Sequence, residues 1–275
     1  MCIASGLCPF LNYQKLVGMR LTFTAFLIFS LLFLSCAGRS IEGDRESRFV
    51  EDQKALAVAS LYRQNFKQAM QEIEEAEKVA KKDPEVYLIK GLIYFGLKEY
   101  KEAEALYKKA LEIKPDYSEA RYNLCGLYLT IDNLDAAIEE CSKAASDPLY
   151  KSRDRAFTSL GVAYFRKGDL DKAYEYYRKS LELNPALVYT HNELGKLYMA
   201  LGREQEAVEE FKKAVEGFEL YDEAHYNLGI AYLKLGEKTL ACNSFKKVVD
   251  ISPGSSFGMN ARSYINSVCK KENGG

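Results

Sequence analysis

Few residues in this chain could do chemistry. Its 275 residues include two histidines, seven cysteines and no tryptophan. An active site needs a nucleophile beside a base, or carboxylates paired in a cleft. A metal centre needs His, Cys, Asp or Glu at ligand spacing. His191 and His225 have no companion His or Cys at such a spacing, so both read as filled core positions and not as ligands. There is no Gly-rich phosphate loop and no paired-histidine zinc motif. The expectation is therefore a protein without enzymatic activity, cofactor, metal or small-molecule substrate. The cysteines divide into Cys2 and Cys8 near the start, Cys36 after an apolar run, Cys125 and Cys141 sixteen residues apart, and Cys242 and Cys269, which show no evident partnership.

The step from His191 to His225 is 34 residues, and that is the period of the chain. Within 154–187, Phe157, Leu160, Gly161 and Tyr164 recur at the spacing of one helical face. Gly168-Asp169 breaks that pattern, and Ala173, Tyr177, Ser180 and Leu181 form a second stripe that Asn184-Pro185 ends. Gly161 maps onto Gly91, Cys125, Gly195 and Gly229, and Ala173 maps onto Ala69, Ala103, Ala137, Ala207 and Ala241. A helix–turn–helix of this length, with Leu-Gly, Tyr, Ala, aromatic, Ala and Pro in that order, is the tetratricopeptide (TPR) signature. The fold expected is all-α, a right-handed α-solenoid of about six hairpins at 50–83, 84–117, 118–153, 154–187, 188–221 and 222–254. Residues 255–275, with Phe257, Ala261, Tyr264, Ile265 and Val268 on one stripe, should cap the last repeat and then fray. The third repeat is two residues longer, which should bend the stack or lengthen one loop.

The amino terminus is of another kind. Residues 1–35 carry Lys15 and Arg20 and no acids, so of 38 basic and 39 acidic residues the remainder holds 36 and 39, a net of −3. Such a balance offers no clustered basic face for nucleic acid. The apolar run from Leu21 to Leu34 is 14 residues, too short for a spanning helix of about 20, and it follows Arg20 as a secretory signal does. Phe33-Leu34-Ser35-Cys36-Ala37 resembles a bacterial lipobox, with Phe33 departing from the usual Leu. This makes Cys36 the lipidation candidate, while an ordinary signal or an uncleaved anchor is the other reading. Met19 is read as the initiator and 1–35 as leader. The polar stretch 36–49 reads as a tether without helical periodicity.

Cys125 and Cys141 stand at the eighth and twenty-fourth positions of the third repeat, facing each other across the hairpin. Two readings fit: a disulfide in an oxidising compartment, or two small buried side chains. Positions 2, 5, 9, 12 and 13 of each first helix should line the inner groove. They give Leu88, Leu92 and Phe95, then Tyr122 and Leu129, then Thr158, Val162, Phe165 and Arg166, and finally Tyr226, Ile230 and Leu233. Repeat five is more polar there, with Asn192, Lys196 and Met199. An exposed apolar band suits a helical or extended protein segment, although some of these residues could instead pack on neighbouring helices. The basic array with which chaperone-binding repeats grip a terminal carboxylate is missing, though Asn123 fits it.

Cys36, the six repeats and the junction Asp147-Pro148-Leu149-Tyr150 within CSKAASDPLY (141–150) together resemble the type IV pilus biogenesis/stability TPR lipoproteins, pilotins for the pilus secretin. The resemblance implies a lipid-anchored scaffold on the periplasmic side of the bacterial outer membrane. It would bind a secretin-type pilus subunit, or another envelope protein, and assist its assembly. The alternative is an adaptor for peptidoglycan enzymes or for outer-membrane protein assembly.

Overall fold

The structure is a computed structural model that describes the backbone of residues 23–269 and the side chains of 42–269. Residues 1–22, which fall in the expected leader, and 270–275 lie outside it, and Cys36 lies outside the residues whose side chains are described. Among the described residues there are thirteen α-helices and no strand, ended by one π-helical turn at Ile265–Cys269. The helices are α1 Phe23–Tyr62, α2 Phe66–Val79, α3 Pro84–Gly96, α4 Tyr100–Ile113, α5 Ser118–Thr130, α6 Leu134–Ser146, α7 Arg153–Arg166, α8 Leu170–Leu183, α9 Val188–Ala200, α10 Glu204–Gly217, α11 Asp222–Lys234, α12 Lys238–Ile251 and α13 Ser256–Tyr264. No described helix is long and apolar enough to cross a membrane. The all-α solenoid expected from the 34-residue period is what the chain forms.

Where a non-helical tether was expected at 36–49, the backbone continues α1 without a break. The side chains of 42–49 are all exposed, so packing does not hold this stretch. Extending an existing helix needs only one hydrogen bond per residue, and only Gly38 and Gly43 there oppose it. The absence of an apolar stripe therefore signals a helix without a packing face.

Within a repeat the second helix starts after a tight turn. Asn65, Asn133 and Asp169 cap α2, α6 and α8 by accepting from the backbone N–H three residues on. Each turn contains one residue in the left-handed region. Gly168, Gly202 and Gly236 take it without strain, whereas Gln64, Lys98 and Asp132 bear a Cβ there.

The two helices of a hairpin approach closely because one residue is small. A Cβ on Gly161 would lie 2.4 Å from Cε1 of Tyr177, and one on Gly195 would lie 2.5 Å from Cε1 of Phe211. Gly91 with Tyr107 and Gly229 with Phe245 repeat the arrangement, and all four rings are fully buried. In repeat three the same two positions are Cys125 and Cys141, which are joined as a disulfide with Cα atoms 5.3 Å apart. A second disulfide, unanticipated from sequence, joins Cys242 of α12 to Cys269 with Cα atoms 5.9 Å apart. It fastens the closing segment, whose Tyr264 ring stacks on Phe245 at 4.8 Å.

Two outcomes follow from this packing. Gly161→Val should lower stability by about 1–3 kcal/mol, since Tyr177 has nowhere to move. Gly126→Ala on α5, where an added Cβ meets nothing within 4 Å, should be neutral or raise it by up to about 1 kcal/mol; urea unfolding separates the two. Cys125, Cys141, Cys242 and Cys269 should resist alkylation until a reductant is added, and mass spectrometry that finds them freely labelled beforehand would remove both bridges.

Candidate functional site

The helices form two layers. Each odd-numbered helix touches the next odd-numbered helix, from α1–α3 to α11–α13, whereas no even-numbered helix touches the next even-numbered one. The odd helices therefore crowd the inside of a curve and present the groove, while the even helices spread around its outside.

The groove candidates separate into three groups. Leu92, Phe95, Tyr122, Leu129 and Phe165 are half-buried, each with part of its surface open and part packed on the repeat core. Leu88 and Val162 are only 5 % exposed and belong to the core itself, which corrects their assignment as groove lining. Both sit where adjacent odd helices meet, so the neighbouring repeat covers them. Thr158 is likewise buried, bonding the hydroxyls of Ser180 at 2.8 Å and Thr190 at 2.6 Å. The third group, Tyr226, Ile230 and Leu233, packs with Phe257, Tyr264 and Ile265 of the closing segment. The ring of Tyr226 lies 5.4 Å from that of Phe257 and 6.3 Å from that of Tyr264. The cap thus meets the sixth repeat's share of the groove at Tyr226, and repeats two to four carry the half-buried apolar band away from it.

Beyond that band lies a polar floor that the sequence only hinted at through Asn192 and Lys196. Asn192 is fully buried, accepts from Asn227 Nδ2 at 3.0 Å and donates to the Tyr221 hydroxyl and Glu223, each at 3.3 Å. Glu193 is 3 % exposed and meets Lys196 Nζ at 2.8 Å. Burial pushes the Glu193 carboxyl above its ordinary range, and the Lys196 charge only partly offsets this. On the apolar side Arg166 Nη1 donates to the Leu129 carbonyl at 2.7 Å, tying repeats three and four across the groove.

The mouth of the first repeat holds the carboxylates of Glu51, Asp83 and Glu85, with oxygens within 4.8 Å of one another. Lys54 Nζ stands among them at 2.7, 3.1 and 2.6 Å respectively. Burial would lower the ammonium, but the three carboxylates hold it well above its ordinary value. The cation this trio can hold is already supplied by the chain.

The Asp147–Tyr150 junction also has a structural account. The Asp147 carboxylate accepts from Ser118 Oγ at 2.5 Å and from the Leu149 N–H at 2.9 Å, and both bonds keep it below the usual carboxylate range. Tyr150 turns inward, its ring 6.1 Å from that of Tyr122, while Leu149 is 87 % exposed. α6 packs more extensively along α7 than α4 does along α5.

Comparison with known proteins agrees with this geometry. Tetratricopeptide-repeat family profiles match 54–118, 94–148, 155–187, 195–236 and 222–255. The type IV pilus assembly protein PilF of Pseudomonas aeruginosa is 26 % identical over 129 residues, covering 47 % of this chain and 51 % of that one. The STIP1 homolog of Dictyostelium discoideum is 30 % identical over 92 residues, 32 % of this chain and 16 % of that protein. The chain therefore spans about half or less of the length of these curated relatives. Among solved structures, PilW, described as a widely conserved type IV pilus biogenesis factor, is 25 % identical with a TM-score of 0.69, over 78 % of this chain and 98 % of that one. The structure of P. aeruginosa PilF, at 19 % identity, shares the fold with the same TM-score over 79 % and 98 %.

A carboxyl raised by burial opposes folding once it ionises. Its stabilising neutral form is present at low pH and is lost as pH rises through the carboxylate range. Glu193→Gln should therefore flatten the fall in stability that the wild type shows between about pH 4 and about pH 7, as read from urea midpoints at the two values. With its repeats matched along the stacked hairpins, the chain belongs to the tetratricopeptide-repeat proteins.

Proposed function

We propose that this protein is a non-enzymatic scaffold of type IV pilus biogenesis, and that the groove of repeats two to four captures a segment of a secretin-type pilus subunit. The observation that carries the reading is the half-buried band of Leu92, Phe95, Tyr122, Leu129 and Phe165 on the inner face. It is supported by the likeness to PilW along 98 % of that chain. Such side chains, partly packed and partly open, form a pre-ordered surface that can bury a partner's apolar face. Burial is worth about 25 cal/mol per Å² before the cost of association is subtracted. Two disulfides favour an oxidising compartment, which suits a periplasmic site. In this reading Cys36 carries lipid that holds the scaffold at the outer membrane. Membrane attachment through several acyl chains, each contributing about 0.8 kcal/mol per buried CH₂, would be long-lived.

The test is a crosslinking pulldown from the native envelope with wild type, Phe95→Asp and Leu129→Asp. Both variants should retain helicity, because each side chain is already part-exposed, and should lose at least about tenfold in recovered secretin. Undiminished secretin recovery and normal secretin multimers in both variants would overturn the proposal. Recovery of peptidoglycan enzymes or outer-membrane assembly factors in place of secretin would favour the other envelope role.

A further inference from the structure

The thirteenth position of a repeat is the last inner-face position of its first helix. From the second repeat to the sixth it holds Gly96, Thr130, Arg166, Ala200 and Lys234, all of them exposed. Arg166 and Lys234 stand two periods apart, with the short side chain of Ala200 between them. Each lies in the last turn of its helix, where a cation is favoured by the carbonyl end. Yet α3, α5 and α9 end without a basic residue, so the hairpin does not require one there.

The protein makes little use of either cation. Arg166 Nη1 comes no nearer than 4.0 Å to Asp132 Oδ1, and Lys234 Nζ no nearer than 3.8 Å to Glu204 Oε1. Both distances are beyond a hydrogen bond. Apart from the Lys196–Glu223 contact at 3.3 Å, every other ion pair among the described residues closes to 3.1 Å or less. Arg166 gives one N–H to the Leu129 carbonyl, and a guanidinium has more to give. Lys196, on the helix between, is engaged: Glu193 and Glu223 keep it charged although burial opposes this. Carboxylates are therefore near all three cations, but at Arg166 and Lys234 none is in contact.

These two cations continue the apolar lining. Phe165 and Leu233 immediately precede them, Met199 holds the same place on α9, and all three are half-buried. Since α7 touches α9 and α9 touches α11, the inner surface from Phe165 to Lys234 is unbroken. We infer, on the groove reading proposed above, that this surface receives acidic side chains of the captured segment, with Arg166 and Lys234 each closing on a carboxylate. The segment is then apolar where it crosses repeats two to four and acidic where it crosses repeats four to six. The array that grips a terminal carboxylate is missing from this chain, so the acceptors are side-chain carboxylates and not a chain end. Packed helices lie about 10 Å apart, which puts the two cations roughly 20 Å from each other. An extended segment rising about 3.3 Å per residue would reach both with carboxylates about six residues apart. Such charge pairs select a partner and speed its capture more than they tighten the complex.

An array of overlapping, end-blocked peptides covering the pilus secretin, probed with the full chain, tests the assignment. The wild type should bind peptides that join an apolar run to acidic residues. Arg166→Glu combined with Lys234→Glu should bind those peptides at least about tenfold less and gain affinity for versions carrying lysine in place of the acids. Arg166→Lys combined with Lys234→Arg should keep the wild-type pattern. Raising salt from about 0.05 M to about 0.5 M should weaken wild-type binding, because exposed charges are screened. Both residues are exposed, so the reversed variant should fold, and the salt response of the wild type decides the matter even if it does not. Binding indifferent to salt, a preference for basic or uncharged peptides, or a reversed variant that keeps the acidic ones would overturn the inference. If Phe95→Asp abolishes binding while the reversal does not, the groove reading stands and this one falls. If the wild type binds no peptide, both fall.

Discussion

Everything in this solenoid depends on one contact, repeated at a separation of sixteen residues: a residue without bulk on the first helix of a hairpin against a ring on the second. Gly91 on Tyr107, Gly161 on Tyr177, Gly195 on Phe211 and Gly229 on Phe245 each leave no room for a Cβ. The buried ring provides the area that drives association, and the glycine lets the backbones come near enough to exclude water from it. Glycine in a helix interior costs about 1 kcal/mol relative to alanine, a cost offset by burying the whole ring. Repeat one solves the same problem with Ala57 and Ile73, both fully buried. Repeat three replaces contact by covalency, since Cys125 and Cys141 occupy the same two positions. A missing aromatic in the third repeat is thus not a gap in the stack.

Curvature follows from which helices share neighbours. Because the odd helices touch along the inside and the even ones do not touch along the outside, the inner surface is continuous and the outer one is ribbed. A continuous inner surface can hold an extended or helical segment against several repeats at once, and a ligand so held draws affinity from many small burials. The two ends are finished differently. Charge closes the first, where Lys54 gathers three carboxylates. Apolar packing and a disulfide close the last, where Tyr226 packs on the chain's own Phe257 and Tyr264.

Polar groups set the joints between repeats. The hydroxyls of Thr158, Ser180 and Thr190 satisfy one another in full burial, as an interior short of other acceptors requires. The fourth-position side chains bind the entering loops with a tyrosine, an arginine or a histidine.

The repeat period, the hairpins and the all-α stack were legible in the sequence because 34-residue recurrence of Gly, Tyr and Ala is a one-dimensional record of a contact made within each unit. Contacts between units are not written so, because they depend on how far one hairpin rotates over the next. That rotation buried Leu88 and Val162, left Leu92 and Phe95 half-open, and brought Cys269 to Cys242. A position in the repeat determines which way a side chain leaves its helix; only the packed neighbour decides whether water or protein meets it there.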